Sequence, residues 1–490
     1  MATTASPATP QHATPHETEL NRVMGPKLLL LFIVGDILGT GVYALTGTVA
    51  GEVGGAAWAP FLVAFAVATI TALSYLELVT RYPQAAGAAL YTHRAFGVHF
   101  LTFLVAFTVM CSGITSASTA SNAFAGFLSD GFGLGFEAGS AGILALALGF
   151  MVIVAAVNFR GVGESVKANV VLTCVELSGL LMIILIGFWA MSQGRADFSE
   201  VMIFRSSEEK GAFMALTAAT SLAFFAMVGF EDSVNMAEEC TDPVRDFPRM
   251  MLTGLGITGL IYVLVSICAV ALVPVGDLVD PAKGSALTQV VRAGAPGLPF
   301  DRIFPFIGMF AVANSALINM LMASRLLYGL ARQGVLPHVL GTVHPTRRTP
   351  WVSILFTTAI AFGLIYFVVT NSQAQAISLL GGTTALLLLC VFTIVNIALL
   401  VLRSQAVGHA HFRAPRWVPW VGAASCAYLA GPWARSAAQL PQYRIAAWLL
   451  GIGVLLWALT WAWNHFMRHR PVELEHPEEL AEHHGSGPTN

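Results

Sequence analysis

The chain has 490 residues, of which 56% are hydrophobic and only 11% charged, with a formal net charge of −2. Soluble domains run near ~25% charged, so this much apolar surface needs lipid as its solvent and excludes a single water-soluble core. The near balance of 25 basic and 27 acidic side chains gives no electrostatic footprint for nucleic acid, which is not expected as a partner.

The first stretch, residues 1–22, is rich in Ala, Thr, Pro and His. It lacks the basic-then-apolar order of a cleavable leader and reads as a disordered cytoplasmic tail. Apolar runs long enough to cross a ~30 Å hydrocarbon layer follow. They are placed at 28–50, 55–79, 99–127, 141–158, 168–191 and 212–235, then at 251–273, 303–330, 351–369, 376–402, 417–433 and 444–466. The fold expected is therefore an all-α integral membrane protein with 12 transmembrane helices: a core over 23–402, helices 11 and 12 within 403–468, and an acidic disordered tail over 469–490. With both ends in the cytoplasm, 17 of the 25 basic residues fall on the cytoplasmic side, as the positive-inside bias requires. The six cysteines are scattered singly and read as packing residues, and neither a metal nor a cofactor is expected.

Two spans are interrupted. The first contains Gly35-Asp36-Ile37-Leu38-Gly39-Thr40-Gly41 and the sixth contains Met227-Val228-Gly229-Phe230-Glu231-Asp232. Glycine inside a helix costs ~1 kcal/mol relative to alanine, so three within seven residues favour a local break. The alternative is close helix packing through small residues. The breaks lie five helices apart, as two inverted repeats, helices 1–5 and 6–10, would place them. An unwound segment frees N–H groups and carbonyls, and the adjoining half-helix N-terminus carries about half a positive charge. One such pocket reads the carboxylate and the ammonium of a zwitterion.

Asp36, Glu176, Glu231 and Asp232 lie in or beside apolar spans. A charge there costs ~2.5–3.5 kcal/mol, so each is a candidate for function. Asp36, Glu176 and Glu231 are the candidate proton carriers; capping the adjoining half-helices is the other reading for Asp36 and Glu231. Sodium is the rival driving ion, with Asn314, Ser315 and Asn319 as polar groups on the eighth span. Small hydroxyl residues from Ser112 to Asn122, with Gly381, Gly382, Thr383 and Thr384, serve either helix packing or a pocket wall. Glu77 and Arg81, four apart at the end of the second span, are placed to latch a cytoplasmic gate or to sit solvated at the border. The spans hold no nucleophile elbow, HExxH or P-loop, so the chain does not read as an enzyme.

Several runs occur in a specific order: Gly39-Thr40-Gly41, Ser74-Tyr75-Leu76-Glu77-Leu78 with Arg81-Tyr82-Pro83, Gly87-Ala88-Ala89-Leu90-Tyr91, Phe224-Phe225-Ala226-Met227-Val228-Gly229-Phe230-Glu231, Asp242-Pro243-Val244-Arg245-Asp246-Phe247-Pro248, and Ser324-Arg325 with Ala331-Arg332-Gln333-Gly334-Val335-Leu336-Pro337. Together they resemble the amino acid–polyamine–organocation superfamily of permeases, within its leucine-transporter-like fold and near its cationic amino acid transporter branch. The resemblance covers about 20–366. It implies a secondary active transporter in the plasma membrane whose small-molecule substrate, an amino acid or amine, moves with a proton. A sodium-coupled or exchange carrier of polyamines, or a non-transporting sensor of the same fold, are the alternatives it leaves open.

By the same resemblance, Thr40 and Gly41 hold the substrate carboxylate at the break opened by Gly39. Carbonyls of Ile37 and Val228, beside Gly229, receive its amino group, and Phe225 is an aromatic lid that gates the pocket. Some relatives carry a lysine near the position of Glu176, so their cation scheme does not transfer directly.

Overall fold

Inside hydrocarbon every backbone N–H and C=O must be satisfied within the segment, so long apolar runs fold as helices. The computed structural model describes residues 24–83, 87–160, 165–205, 211–332, 334–347, 349–372 and 375–465, and the two expected tails lie outside these residues. Among the described residues, eleven helical spans are long and apolar enough to cross a membrane. In chain order the helices are α1 (Pro26–Val53), α2 (Trp58–Arg81), a short α3 (Gly87–Phe96), α4 (His99–Phe132), α5 (Ala141–Arg160), α6 (Ser165–Ser192) and α7 (Gly211–Ala223). There follow α8 (Pro243–Leu272), α9 (Phe300–Arg332), α10 (Trp351–Ser372), α11 (Ala376–Leu402), α12 (Val418–Ala430) and α13 (Pro441–Trp463).

The span expected at 417–433 is the exception in length. α12 has 13 residues, about 20 Å of rise against a ~30 Å layer. Its end is set by Gly431, extended at φ −75°, ψ 154°, and by Pro432, which pushes its predecessor out of the helical region.

α9 runs along α4, and α11 packs on α4 and α12, while α1 lies between α6, α7 and α8. Polar contacts tie these helices: the Thr115 and Thr384 hydroxyls are 2.7 Å apart, Ser74 donates to Asn396 at 2.7 Å, and Ser121 donates to the Ala147 carbonyl at 2.7 Å. Most other hydroxyls of the α4 stretch bond to carbonyls of their own helix, as Ser118 and Thr119 do, which supports their reading as packing residues. On the outer surface Val152, Ile153, Leu185, Phe188, Leu355, Phe367, Leu455 and Leu459 are exposed, an apolar coat suited to lipid.

Candidate functional site

Both expected interruptions are present. In α1 the helical path is lost at Gly39, with φ −7° and ψ −153°. In the sixth span α7 ends at Ala223, a 3₁₀ turn covers Phe224–Met227, Val228 is extended at φ −74°, ψ 149°, and a second 3₁₀ stretch runs over Asp232–Glu239. The second half of that span is therefore 3₁₀ rather than α-helical, a geometry with poorer hydrogen bonds that suits a short piece beside a break.

The two breaks touch each other, and their glycines are what allow it. Gly229 has φ +124°, a region L-residues rarely adopt, and a Cβ there would lie 2.7 Å from the carbonyl carbon and oxygen of Asp36. A Cβ on Gly41 would collide with the backbone of Ala226. A side chain on Gly39 would meet Ser315 Oγ of α9 at 2.6 Å. Thus the residues Asp36 to Gly41 lie against Ala226 to Gly229, with α9 closing a third side.

Hydrogen bonding around the breaks divides into satisfied and unsatisfied groups. The Gly229 N–H donates to Glu231 Oε2 at 2.9 Å, so Glu231 folds back to fasten its own break. The Ile37 carbonyl accepts from the Tyr262 hydroxyl of α8 at 2.6 Å, and the Tyr43 hydroxyl donates to the Glu176 carbonyl at 2.7 Å. Thr40 is 3% exposed, yet its Oγ1 has no hydrogen-bond partner among the described residues. The same holds for Asp36 Oδ2 and for both carboxyl oxygens of Glu176, which is fully buried. Unpaired buried polar atoms cost ~1–3 kcal/mol each, so four around one pair of breaks mark a place built for something more than packing.

Phe225 is 5% exposed, and a Cβ added at Gly381 of α11 would lie 3.2 Å from its ring and 3.4 Å from the Leu45 side chain of α1. Beside the C-terminal half of α1 is a cavity of about 190 Å³ whose wall includes Tyr43, Gly47, Asn122, Phe127, Asp130 and Ile377. On the other side of the breaks a smaller cavity of about 40 Å³ is lined by Tyr75, Gly87, Glu231, Asp232 and Asn235. Two spaces therefore approach the breaks from opposite directions.

One expected pairing is corrected. Glu77 does not pair with Arg81. Its carboxylate binds Arg403, at the end of α11, through Nε at 2.9 Å and a terminal nitrogen at 2.6 Å, and accepts the Ala414 N–H at 2.9 Å. Arg81 instead donates to the Gln405 carbonyl. The four-residue spacing allowed an Arg81 contact, but a guanidinium arriving from α11 presents two parallel donors that the carboxylate fits better.

Sequence reasoning missed Tyr262 and Tyr43, each a single hydroxyl in an apolar run, which was the available signal. It also missed Arg403 as a partner, since nothing local links it to Glu77. Asn319 donates to the Ser315 carbonyl of its own helix at 2.8 Å, and Ser315 Oγ faces the break at Gly39.

Comparison with known proteins decides what this arrangement belongs to. A family model described as amino acid permease matches residues 26–458. The chain belongs to the amino acid permease family. The permease is 27% identical over 416 residues to a methylthioribose transporter of Bacillus subtilis (strain 168), covering 82% of this chain and 85% of that protein. It is 26% identical to a branched-chain amino acid permease of the same organism, covering 80% and 83%. It is 28% identical to cationic amino acid transporter 4 of Mus musculus over 79% of this chain, but it spans only 61% of that longer protein. The permease is a multi-pass membrane transporter of the amino acid–polyamine–organocation superfamily, near its cationic branch, and not an enzyme.

Proposed function

We propose that the permease is a proton-coupled carrier of a neutral or cationic amino acid in the plasma membrane, with both termini cytoplasmic. The single observation that carries the reading is the contact between the two breaks, with Thr40 Oγ1 buried there and unpartnered. The substrate carboxylate takes the Thr40 hydroxyl and the free amides at the start of the second half of α1, where the helix dipole favours an anion. The ammonium group faces the carbonyls of Ile37 and Val228, the former shared with Tyr262. Phe225, buried beside Gly381, covers the side chain. The repeats of helices 1–5 and 6–10 then rock about this point, which opens the two cavities in turn. The basic excess on one face, 17 of 25 residues, sets the orientation.

Glu231 couples the proton to the break. As a carboxylate it holds the Gly229 N–H; once protonated it becomes a weaker acceptor and the Gly229 turn loosens. Asp36, on the facing segment, and Glu176 are the further proton-holding groups. Uptake of labelled amino acids into proteoliposomes tests this. An inward proton gradient, without sodium, is expected to drive accumulation in the wild type, and Glu231→Gln is expected to transport at a rate independent of the gradient. Accumulation driven by sodium alone, or an unaltered gradient response in that variant, would remove the proton scheme.

A further inference from the structure

Transport leaves unused a third cavity, of about 360 Å³, at the end of α2. Its wall carries Glu77 and Arg81 from α2, Arg403 from the end of α11, and His411, Arg413 and Arg416 from the segment that leads into α12. The lining therefore holds four guanidinium groups and, among the described residues, one carboxylate. That carboxylate is already occupied by Arg403 and the Ala414 N–H. Arg81, Arg413 and Arg416 are left without an acid in the cavity.

Arg81 is the informative one. It is only 4% exposed, and beyond its bond to the Gln405 carbonyl its Nε has no partner among the described residues. A buried guanidinium short of acceptors is costly unless an anion completes it. Arginine forks match phosphate oxygens, which accept two parallel bonds. The cavity's Arg416 lies just before α12, where Trp417 and Trp420 are 54% and 66% exposed. Tryptophans so placed sit at headgroup level. Basic pockets between membrane helices on the basic face take acidic headgroups.

We propose that this cavity binds a phosphate group, supplied by an anionic phospholipid, with Arg81 as its buried floor and Arg413 and Arg416 as its rim. The bound group bridges α2 to the segment between α11 and α12. It thereby braces the same junction that the Glu77–Arg403 pair fastens.

The test uses the full chain, purified in a neutral detergent, with thermal stability and native mass spectrometry read against added phosphatidylglycerol, phosphatidylcholine or inorganic phosphate. Phosphatidylglycerol is expected to raise the melting temperature saturably and to remain bound in the mass spectrum, and phosphatidylcholine to do neither. The double variant Arg413→Gln/Arg416→Gln is expected to bind it about 30-fold more weakly, at roughly a factor of five per arginine, with its melting temperature in the absence of lipid unchanged. Arg245→Gln/Arg249→Gln, which removes two arginines elsewhere on the chain, is expected to bind like the wild type. If inorganic phosphate gives the same saturable shift, lost in the first variant, the site stands with a soluble phosphate as its occupant. No shift with either ligand, or equal weakening in both double variants, would overturn it.

Discussion

Thr40 in the first break and Gly229 in the second respond differently to substitution. Thr40 Oγ1 has no hydrogen-bond partner among the described residues, so Thr40→Val breaks no bond among them but, in the proposed reading, withdraws a donor from the substrate carboxylate. Hydrogen bonds to charged groups are worth ~1.5–3 kcal/mol, so affinity is expected to fall by about 10- to 100-fold while the melting temperature of the substrate-free protein holds. Gly229→Ala acts the other way. The new Cβ meets Asp36 at φ +124°, so ~1–3 kcal/mol of backbone strain comes on top of the collision, and thermal unfolding is expected at lower temperature with transport lost. At the far end of α2, the Glu77 and Arg403 side chains are 3% and 21% exposed. Arg403→Gln leaves the buried carboxylate without its fork and is expected to cost about 3 kcal/mol, with Glu77→Gln/Arg403→Gln recovering part of it in a double-mutant cycle of thermal stability.

The two interrupted spans were legible in the sequence because glycine has a large, local effect on helix continuity. Gly39 and Gly229 both fall where the path departs from a helix. The register between the breaks was not legible, since Gly41 against Ala226 and Gly229 against Asp36 are contacts between segments almost two hundred residues apart. For the same reason the Tyr262 bond to Ile37 and the choice of Arg403 over Arg81 by Glu77 were out of reach of spacing arguments. The early end of α12 was not legible because an apolar run was counted across Gly431 and Pro432, where backbone restriction outweighs hydropathy. α3 shows a further effect at element scale. His93, at its end, bonds Thr102 through Nδ1 at 3.2 Å and stands 5.1 Å from the His99 ring. Burial, with the charges of His99 and Arg94, holds the His93 imidazole below its usual value of 6.5. A base whose folded value is depressed supports the fold fully above pH 6.5 and loses that support as pH falls toward the lowered value. The melting temperature is expected to decline on acidification below 6.5, and less so in His93→Gln.

At the scale of the whole molecule, the permease places its paired main-chain gaps between two cavities of unequal size, about 190 Å³ and 40 Å³. The sides of the smaller space carry Glu231 and Asp232. In the proposed reading, a zwitterion held at the breaks supplies hydrogen bonds that the described residues leave unmade at Thr40 and Asp36. Ligand binding therefore stabilises the fold by mass action. Equilibrium binding of labelled amino acids to the purified full chain, compared between wild type and Thr40→Val, addresses the central claim most directly. Saturable binding of at least one amino acid, weakened about tenfold or more in the variant at unchanged stability, is the expected result. Equal dissociation constants in the two proteins would mean that the break in α1 is not where the substrate carboxylate is held.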